Sequence, residues 1–266
     1  MIFRYPGGKD RLAKVIVPAL LSFGDFEEYR EPFLGAGSIA VDYLRSSFHK
    51  GSVWINDIDP ALMAAWEMII NDPQPLMRRI RRFQPSVEAF YKIKGRLQVN
   101  NERPHDAGFM KLAIHAISFS GLGRHAASPM GGNGQDKTCT VYSRWTPEYT
   151  IRQIEKAHRV FAEFSGKMKI TAADYEPLIL DESKRALTYL DPPYVGKGYK
   201  VYQYSFSEAQ HIRLAELLKH TRHSWLLSYD DCDFIRDLYS WAHIASVPVT
   251  YTICKVIRKR ELLIWR

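Results

Sequence analysis

The chain has 266 residues, of which 46% are hydrophobic and 25% are charged, and its formal net charge is +8. This length and composition fit one domain that carries a sizeable insertion, and no apolar run approaches the roughly 18 residues that a membrane span needs. Three widely separated cysteines, Cys139, Cys232 and Cys254, exclude a disulfide framework and a Cys-x-x-Cys metal site, so we expect a reduced, cytoplasmic protein.

The first seventy residues alternate between helix and strand. The pattern of apolar residues predicts, in order, helix Arg11–Leu21, strand Glu28–Pro32, helix Ser38–Ser47 and strand Val53–Ile55. Asp59 is placed to cap the next helix, with Pro60 at its first position. The apolar face of that helix is formed by Leu62, Trp66, Ile69 and Ile70.

Residues 72–165 interrupt this alternation with a basic and largely helical segment. We predict helices over Val87–Gln98, Ala107–Phe119 and Pro147–Phe164, and a glycine-rich loop over Gly121–Gly134. The segment holds 15 Lys and Arg against 8 Asp and Glu, a net charge of +7, whereas the rest of the chain carries +1. A solvated helical face is one interpretation of such a charge run, but its segregation from a neutral remainder favours contact with phosphates.

Alternation resumes after residue 165. The predicted strands are Lys169–Thr171, Ala186–Leu190, Trp225–Ser228, Ile244–Val256 and Leu262–Trp265, and the predicted helices are Ser207–His220 and Phe234–Tyr239. Strands that alternate with helices predict an α/β sheet with crossover helices. We therefore predict a sheet domain of residues 1–71 and 166–266, into which residues 72–165 are inserted.

A glycine-containing turn joins the first predicted strand to the next helix, in the sequence Glu31-Pro32-Phe33-Leu34-Gly35-Ala36-Gly37-Ser38. A Gly-x-Gly turn alone is more often structural than functional. Asp57, however, follows the next strand 22 residues after Gly35, close to the spacing at which Rossmann-like domains place an acid that binds ribose hydroxyls. The third glycine of the dinucleotide fingerprint is missing, so the pattern favours a nucleoside without phosphates, and S-adenosylmethionine is the commonest cofactor of that kind.

Asp191-Pro192-Pro193-Tyr194 follows an apolar strand, at the strand end where α/β sheets hold ligands. A proline-stiffened turn is the alternative interpretation. The residue types suit an exocyclic amine of a base, because the Asp191 carboxylate and the Pro192 carbonyl can accept its N–H groups and localise its lone pair. The prolines fix the direction of that carbonyl, and Tyr194 offers a ring face for stacking. Attack on a sulfonium methyl group then depends mainly on positioning and electrostatics.

Four motifs follow one another along the chain: Pro6-Gly7-Gly8-Lys9, the turn at 31–38, Asn56-Asp57 and Asp191-Pro192-Pro193-Tyr194. With these motifs, and with an insert before the last one, the chain resembles the Dam family of DNA adenine-N6 methyltransferases (alpha group). The resemblance covers nearly the whole chain and extends to Glu261-Leu262-Leu263-Ile264. It implies a Rossmann-like S-adenosylmethionine methyltransferase sheet with an inserted, largely helical DNA-recognition domain, and an adenine that is flipped out of duplex DNA.

The resemblance also implies roles for individual residues. The catalytic group would be Asp191, Pro192, Tyr194 and Lys9, with Asp191 and Tyr194 holding the flipped base. Tyr5 and Lys9 would contact the cofactor, and Asp57 would bind its ribose. The remaining cofactor contacts would be Phe33, Gly35 and Gly37 at the methionine end, Asp174 near the adenine, and Asp191 beside the reacting centre.

Candidate DNA contacts are found in the insert and near the end of the chain. The stretch 118–124 lies where the family carries an aromatic-Asn-Gly-x-x-Arg segment, but Ser120 stands where Asn is usual. Arg124 can bind a guanine edge in the major groove, contact phosphate or lie on the surface. Residues 125–134 replace the hairpin of members that read GATC, so the recognition sequence is left open. Further candidates are Arg144, which can also anchor a helix start, Arg258 and Lys259 at an expected hairpin tip, and the phosphate-directed Arg78, Arg79, Arg81 and Arg82.

Several alternatives stay open at this point. The acceptor can be cytosine-N4 or RNA adenine, or the protein can bind DNA without catalysis, although intact Asp191, Lys9 and Asp57 argue against the last interpretation. Methyltransferases that act on protein glutamine usually carry Asn where Asp191 stands. The expected partner is double-stranded DNA and not a membrane, while the host and a separately encoded restriction endonuclease are left open. The nine histidines show no paired ligand spacing, so no metal is assigned.

Overall fold

The structure is a computed structural model that describes residues 2–3, 8–99, 101–135, 138–196, 205–252 and 256–266. The chain divides into two compact units. The sheet unit consists of residues 9–34, 38–58 and 164–266. The helical unit consists of residues 1–8, 35–37 and 59–163.

The described helices are numbered in chain order. They are α1 (Ala13–Leu21), α2 (Ser38–Ser46), α3 (Pro60–Asn71), α4 (Gln74–Arg82), α5 (Val87–Val99), α6 (Pro104–Ile117), α7 (Val141–Arg144), α8 (Pro147–Ala162), α9 (Glu176–Leu180), α10 (Glu208–His220) and α11 (Asp233–Leu238). None of these helices combines the length and the apolar composition that a crossing of a membrane requires, within the residues described.

The sheet unit contains seven strands in the order β3-β2-β1-β4-β5-β7-β6. They are β1 (Glu28–Glu31), β2 (Ser52–Asn56), β3 (Met168–Thr171), β4 (Ala186–Leu190), β5 (Ser224–Asp230), β6 (His243–Thr252) and β7 (Val256–Trp265). The first five strands are parallel, and β7 runs antiparallel between β5 and β6. This order and the crossover helices confirm the Rossmann-like methyltransferase sheet that the sequence predicts.

Burial explains why the central strands are continuous apolar runs in the sequence. All five residues of β4 and all four residues of β1 are buried, as expected for parallel strands covered on both faces. The cluster that packs around β5 includes Trp225, Tyr229 and Leu214 of α10. Since the strand interiors hold this core, polar side chains are left for the strand ends, where a ligand can reach them.

The helical unit packs around α3 and α6. Trp66 is fully buried there, and a Cβ on Gly108 would lie 2.7 Å from the backbone nitrogen of Ala65, so the two helices meet at a point that only glycine allows. The predicted cap of α3 is confirmed, because the Asp59 carboxylate accepts from the backbone nitrogen of Ala61 at 3.0 Å. The same carboxylate also pairs with the buried Lys111 at 2.6 Å, which joins the start of α3 to α6.

The structure differs from the sequence prediction in a few elements. Helix α4 was not predicted, because its sequence follows a proline and contains four arginines in nine residues. The predicted strand 244–256 is in fact β6, which ends at Thr252, and β7 begins at Val256, six residues before the predicted start. Helix α6 ends at Ile117, two residues before the predicted end. The helical unit also includes α3 and residues 1–8 and 35–37, which lie outside the predicted insert of residues 72–165.

Candidate active site

The site lies at one edge of the sheet, where the parallel strands of the sheet unit end. Asp191 directly follows β4, Asp57 follows β2, and Asp230 is the last residue of β5. Because β7 is antiparallel, its early residue Glu261 pairs with Asp230 and lies at this same edge. The topology therefore collects acidic side chains from strands that are far apart in sequence.

Lys9 is the centre of a buried polar cluster, which we call the Lys9 cluster: Lys9, Asp191, Tyr194 and Glu261. The Lys9 Nζ lies 2.8 Å from Asp191 Oδ1 and 3.5 Å from Glu261 Oε2. It also donates to the Tyr194 hydroxyl, which in turn donates to Glu261 Oε2 at 2.8 Å. The structure thus brings together three of the four predicted catalytic residues, Lys9, Asp191 and Tyr194, through direct contacts.

Burial differs sharply within the Lys9 cluster. The side chains of Lys9 and Glu261 are 4% and 2% exposed, whereas that of Asp191 is 24% exposed. Burial disfavours the charged form of Lys9, but the carboxylates of Asp191 and Glu261 outweigh it and raise the pKa of Lys9 above its ordinary value. Burial raises the pKa of Asp191, while the Lys9 ammonium opposes that rise. The site therefore presents one accessible carboxylate backed by a buried cation.

Contacts from neighbouring strands hold Asp191 in place. The Ser228 hydroxyl of β5 donates to Asp191 Oδ1 at 3.2 Å, and the Tyr189 hydroxyl lies 2.9 Å from Ser228 Oγ. Both Lys9 and Ser228 bind the Oδ1 oxygen of Asp191. Pro192 is buried directly after Asp191, so its ring fixes the backbone at this point.

A second buried carboxyl group, that of Glu31, lies near Asp191. The Tyr29 hydroxyl donates to Glu31 Oε2 at 2.8 Å. Burial raises the pKa of Glu31 well above its ordinary value, and the charge of Asp191 raises it further. Two carboxyl groups of one site therefore differ in their surroundings: Glu31 is buried and accepts from a tyrosine hydroxyl, and Asp191 is paired with a cation.

Asn56 joins the ends of three neighbouring strands. Its amide nitrogen donates to the carbonyls of Pro32 at 3.0 Å and Ala173 at 2.9 Å, and its Oδ1 accepts from the Thr171 hydroxyl at 2.7 Å. Its own carbonyl accepts from the backbone nitrogen of Leu34 at 2.9 Å. These bonds fix the segments that follow β1 and β3 around the end of β2, and so fix the position from which Asp57 projects.

An aromatic cluster lies beside this point. The Phe33 ring is 5.2 Å from the Tyr175 ring and 5.7 Å from the Phe206 ring. Phe33 and Phe206 are half-buried, so part of this apolar surface stays accessible. Asp174 is exposed next to the cluster and accepts from the backbone nitrogen of Glu176 at 2.8 Å, in the first turn of α9. Asp57 is half-buried at the end of β2.

The glycine turn that follows β1 belongs to the helical unit. Gly35 and Gly37 both have positive φ, +50° and +65°. A Cβ on Gly37 would lie 2.3 Å from the Trp66 ring, so packing against α3 already requires glycine there. A Cβ on Gly35 would meet no described atom within 4 Å. Of the two glycines of this turn, Gly35 is therefore the one that combines a backbone that needs glycine with open space beside it.

The loop after α6 in the helical unit contains the predicted recognition residues. Ser120 is exposed and has φ +54°, a backbone conformation that residues other than glycine rarely adopt. Arg124 is half-buried, and its Nη1 donates to the carbonyl of Leu97 at 3.0 Å. Lys94 donates to the carbonyl of Ala126 at 2.8 Å. Helix α5 thus supports this loop through contacts to its backbone and to Arg124.

The remaining predicted contacts fall elsewhere. Trp145 packs against Phe83 at 4.9 Å, which anchors the start of α8, and its neighbour Arg144 is half-buried. Arg258 and Lys259 are in β7, where they pair with Thr250 and Val249 near the β6–β7 connection, and their side chains lie outside the described part. Tyr5 also lies outside the described residues. Across the described ranges, no group of three His, Cys, Asp or Glu side chains is arranged to hold a metal ion.

Two residues of the site, Glu261 and Asn56, have no role in the sequence prediction. Glu261 is 252 positions from Lys9, and only the position of β7 in the sheet brings them together. Asn56 was noted only as the neighbour of Asp57. The signals that could have indicated them are the position of Asn56 at a strand end and a glutamate that interrupts the apolar run at the start of Leu262–Trp265.

Comparison with known proteins agrees with this geometry. Residues 5–253 match the model of the D12 class N6 adenine-specific DNA methyltransferase family. The chain is 24% identical to the Type II methyltransferase M.MjaIII of Methanocaldococcus jannaschii, over 97% of this chain and 94% of that one. It is 25% identical to the DNA adenine methylase of Haemophilus influenzae, over 97% of this chain and 88% of that one.

The similarity to a solved structure is weaker than these sequence matches. The rRNA methyltransferase aviRa of Streptomyces viridochromogenes aligns with 98% of this chain and 86% of its own, with a TM-score of 0.41 and 13% identity. At this level the likeness carries no argument about substrate. The acceptor is therefore judged from the family match and from the Lys9 cluster.

Proposed function

The chain belongs to the D12 class of N6 adenine-specific DNA methyltransferases, and on this premise we propose that Lys9, Asp191, Pro192 and Tyr194 form its catalytic group. The observation that carries the proposal is the accessible Asp191 carboxylate, held by buried Lys9 at 2.8 Å directly after β4. Adenine in DNA is the acceptor that the family methylates, so cytosine-N4 and RNA adenine become outcomes that a test must exclude.

S-adenosylmethionine fits the residues at the strand ends as the methyl donor. Asp57 is the carboxylate that would accept the ribose hydroxyls, and the half-buried Phe33 offers apolar surface near Asp174 for the rest of the nucleoside. Open space beside Gly35 allows a ligand to approach the backbone of the turn. When bound, the donor supplies an electrophilic methyl group. We also propose that the methyl donor is contacted by Tyr5, Lys9, Gly37 and Asp191.

The chain's own residues would prepare the target amine. An N–H of adenine N6 donates to the Asp191 carboxylate, and a second N–H donates to the carbonyl of Pro192. Two acceptors at these positions draw the nitrogen lone pair out of conjugation with the ring. Tyr194, whose hydroxyl is fixed by Lys9 and Glu261, offers its ring for stacking on the flipped base. Most of the catalysis would then come from positioning and fixed charge.

Residues 72–165 are proposed as the target-recognition segment, and residues 1–71 and 166–266 as the catalytic part. The net charge of +7 on the segment supports contact with phosphates. Arg124 is a candidate for reading a guanine, because one of its five N–H donors is used by Leu97 and the guanidinium has further donors for a base edge. Further proposed DNA contacts are Ser120, Arg144, Arg258 and Lys259.

The proposed partner is double-stranded DNA, and the proposed place of action is the cytoplasm, on chromosomal or phage DNA. The archaeal relative is named a Type II methyltransferase. That name makes a separately encoded restriction endonuclease the protein partner to look for among neighbouring genes.

The decisive experiment expresses the protein in a bacterial strain that lacks DNA methylation and reads modified bases by long-read sequencing. We expect N6-methyladenine at one sequence motif. Asp191→Ala should abolish the modification, because the amine loses its charged acceptor, while DNA binding by the purified variant is kept. Asp237→Ala, which removes an exposed carboxylate from α11, should leave the motif fully methylated.

Two further outcomes are informative. Arg124→Gln should relax the motif at one position, at a cost of about 1–3 kcal/mol in discrimination. Absence of N6-methyladenine with folded wild-type protein would refute the proposed function, and full methylation by Asp191→Ala would refute the role of Asp191. Nucleoside analysis of DNA and RNA from the same cells distinguishes adenine from cytosine products.

A further inference from the structure

We propose that Glu261 is a positioning residue of the methyl transfer, which fixes Lys9 and Tyr194 so that Lys9 acts on Asp191 as a permanent cation and not as a base. The inference rests on the proposed function of Asp191. It adds a role for the far end of the chain, which the motifs do not assign.

The hydrogen-bond geometry is the first argument. An ammonium group has three N–H donors, and among the described residues the Lys9 Nζ has three oxygen neighbours: Asp191 Oδ1 at 2.8 Å, Glu261 Oε2 at 3.5 Å and the Tyr194 hydroxyl. Glu261 also accepts the Tyr194 proton at 2.8 Å. One carboxylate therefore fixes both the cation and the aromatic residue of the catalytic group.

The topology is the second argument. Glu261 is 2% exposed, so a charge there is stable only because partners surround it. It pairs in register with Asp230 at the end of β5, in a strand whose next three residues, Leu262 to Ile264, are buried and apolar. At the start of such an apolar run, leucine would pack better than glutamate, so packing does not explain Glu261. Its contacts with Lys9 and Tyr194 explain its presence.

The charges are the third argument. Lys9 faces two carboxylates, so the Lys9 cluster carries one net negative charge. Other titratable groups also face Asp191: Glu31 from β1, Tyr189 from β4 and Tyr229 from β5. Burial raises the pKa of Asp191, and Glu261 adds to that rise, while Glu261 helps to keep Lys9 protonated. Loss of the Glu261 charge should lower both pKa values.

The proton balance follows from this arrangement. As the bond from N6 to the methyl carbon forms, the bond from that carbon to sulfur breaks and its electron pair stays on sulfur. The methylated amine then carries an excess proton and a positive charge. Lys9, already protonated and saturated with acceptors, cannot take it, so the proton passes to Asp191 and from its exposed side to water. Glu261 thereby decides which residue receives the proton.

The test compares Glu261→Gln with the wild type in single-turnover methylation of a duplex with one target site, across a range of pH. We expect the rate at the pH optimum to fall about tenfold, because Lys9 and Tyr194 lose a shared partner. Both limbs of the pH profile should move to lower pH by about one unit. The dissociation constant for DNA should stay within about twofold of the wild-type value.

Two variants separate positioning from general damage. Glu261→Asp keeps the charge but shortens the reach, so the rate should fall while the pH limbs stay in place. Glu28→Gln is the matched control, because Glu28 is also a buried carboxylate of the sheet, paired with Arg30 at 2.6 Å and away from the Lys9 cluster. This control should lower the melting temperature but leave the pH profile unchanged.

A spectroscopic measurement without any cofactor or DNA provides an independent readout. Protein labelled with ¹⁵N at lysine should show a slowly exchanging Nζ resonance for buried Lys9, identified by its absence in Lys9→Met. In Glu261→Gln that resonance should shift or broaden, and in Glu28→Gln it should not. An unchanged Lys9 resonance together with an unchanged pH profile in Glu261→Gln would overturn the inference.

Failure of this inference is distinguishable from failure of the proposed function. If Asp191→Ala still methylates DNA, the proposed role of Asp191 is wrong, and the role of Glu261, which rests on it, is wrong as well. If Asp191→Ala is inactive but Glu261→Gln matches the wild type in rate, pH profile and Lys9 resonance, only the role of Glu261 is wrong. If Glu261→Gln does not fold, the charge-preserving Glu261→Asp decides, because an unchanged rate in that variant contradicts positioning.

Discussion

At the scale of single residues, the site gives two carboxyl groups different surroundings. Asp191 is a quarter exposed and is paired with Lys9, whereas Glu31 is buried and bonded to a neutral tyrosine hydroxyl. The physical difference is the nearest partner: a cation stabilises the ionised form, and burial without a cation stabilises the neutral form. Only Asp191 is therefore suited to accept bonds from an amine at neutral pH.

This difference predicts unequal effects of amide substitutions. Glu31→Gln keeps the size of the side chain and its ability to accept from the Tyr29 hydroxyl, so methyl transfer should stay within about tenfold of the wild type. Asp191→Asn removes the ionised acceptor and should lower the rate by at least about a hundredfold. Single-turnover rates of both purified variants check this, with circular dichroism as the control for folding. Equal decreases in the two variants would show that Glu31 is also ionised.

At the scale of elements, α4 is the most basic helix described. Arg79 is paired with Asp106 at 2.6 Å, but Arg78, Arg81 and Arg82 are exposed on the same short helix. Phosphate contacts from such a surface would add affinity without sequence information. This distinguishes α4 from the loop after α6, where the strained Ser120 and Arg124 are the candidates for specificity.

Neutralising that surface should change the salt dependence of DNA binding. In the triple variant Arg78→Gln, Arg81→Gln and Arg82→Gln, the slope of log K against log salt should fall by about 0.9 for each phosphate that the protein no longer neutralises. Affinity should fall for cognate and unrelated duplexes alike, while the methylated motif stays the same. Fluorescence anisotropy at several salt concentrations measures both effects.

The matched control for this experiment removes the same charge from another surface. Arg185 directly precedes β4, and Lys219 and Arg222 lie shortly before β5. All three are therefore near the strand ends opposite to the Lys9 cluster. Their replacement by glutamine should leave the salt slope unchanged. A similar fall in both triple variants would mean that net charge alone, and not α4, governs binding.

At the scale of the whole molecule, ligand binding should stabilise the fold. S-adenosylmethionine at about one hundred times its Kd adds roughly 2.7 kcal/mol, which corresponds to an increase in Tm of about 5–10 °C for a chain of this size. Asp57→Ala should remove most of this increase, because the ribose loses its carboxylate partner, and Asp237→Ala should keep it. Differential scanning fluorimetry measures this effect, and an unchanged increase in Asp57→Ala would contradict the role of Asp57.

The sequence predicted the parts of the molecule that local patterns determine. Asp59 caps α3, Ser207 caps α10, and Asp191 follows a buried strand, each as expected from neighbouring residues. The contacts of Lys9 with Glu261 could not be predicted in this way, because they depend on the place of β7 between β5 and β6. Local spacing gives no information about which strands become neighbours when their residues are so far apart along the chain.

The position of β7 has a consequence for how the protein is made. Lys9 is synthesised 252 residues before Glu261, yet their side chains lie 3.5 Å apart. Strand β7 enters the sheet between β5 and β6, so a nascent chain that has not reached β7 leaves β6 without this neighbour. Such a chain also lacks Glu261, the carboxylate that completes the Lys9 cluster. We therefore expect the Lys9 cluster to form only after β7 has been made and has entered the sheet.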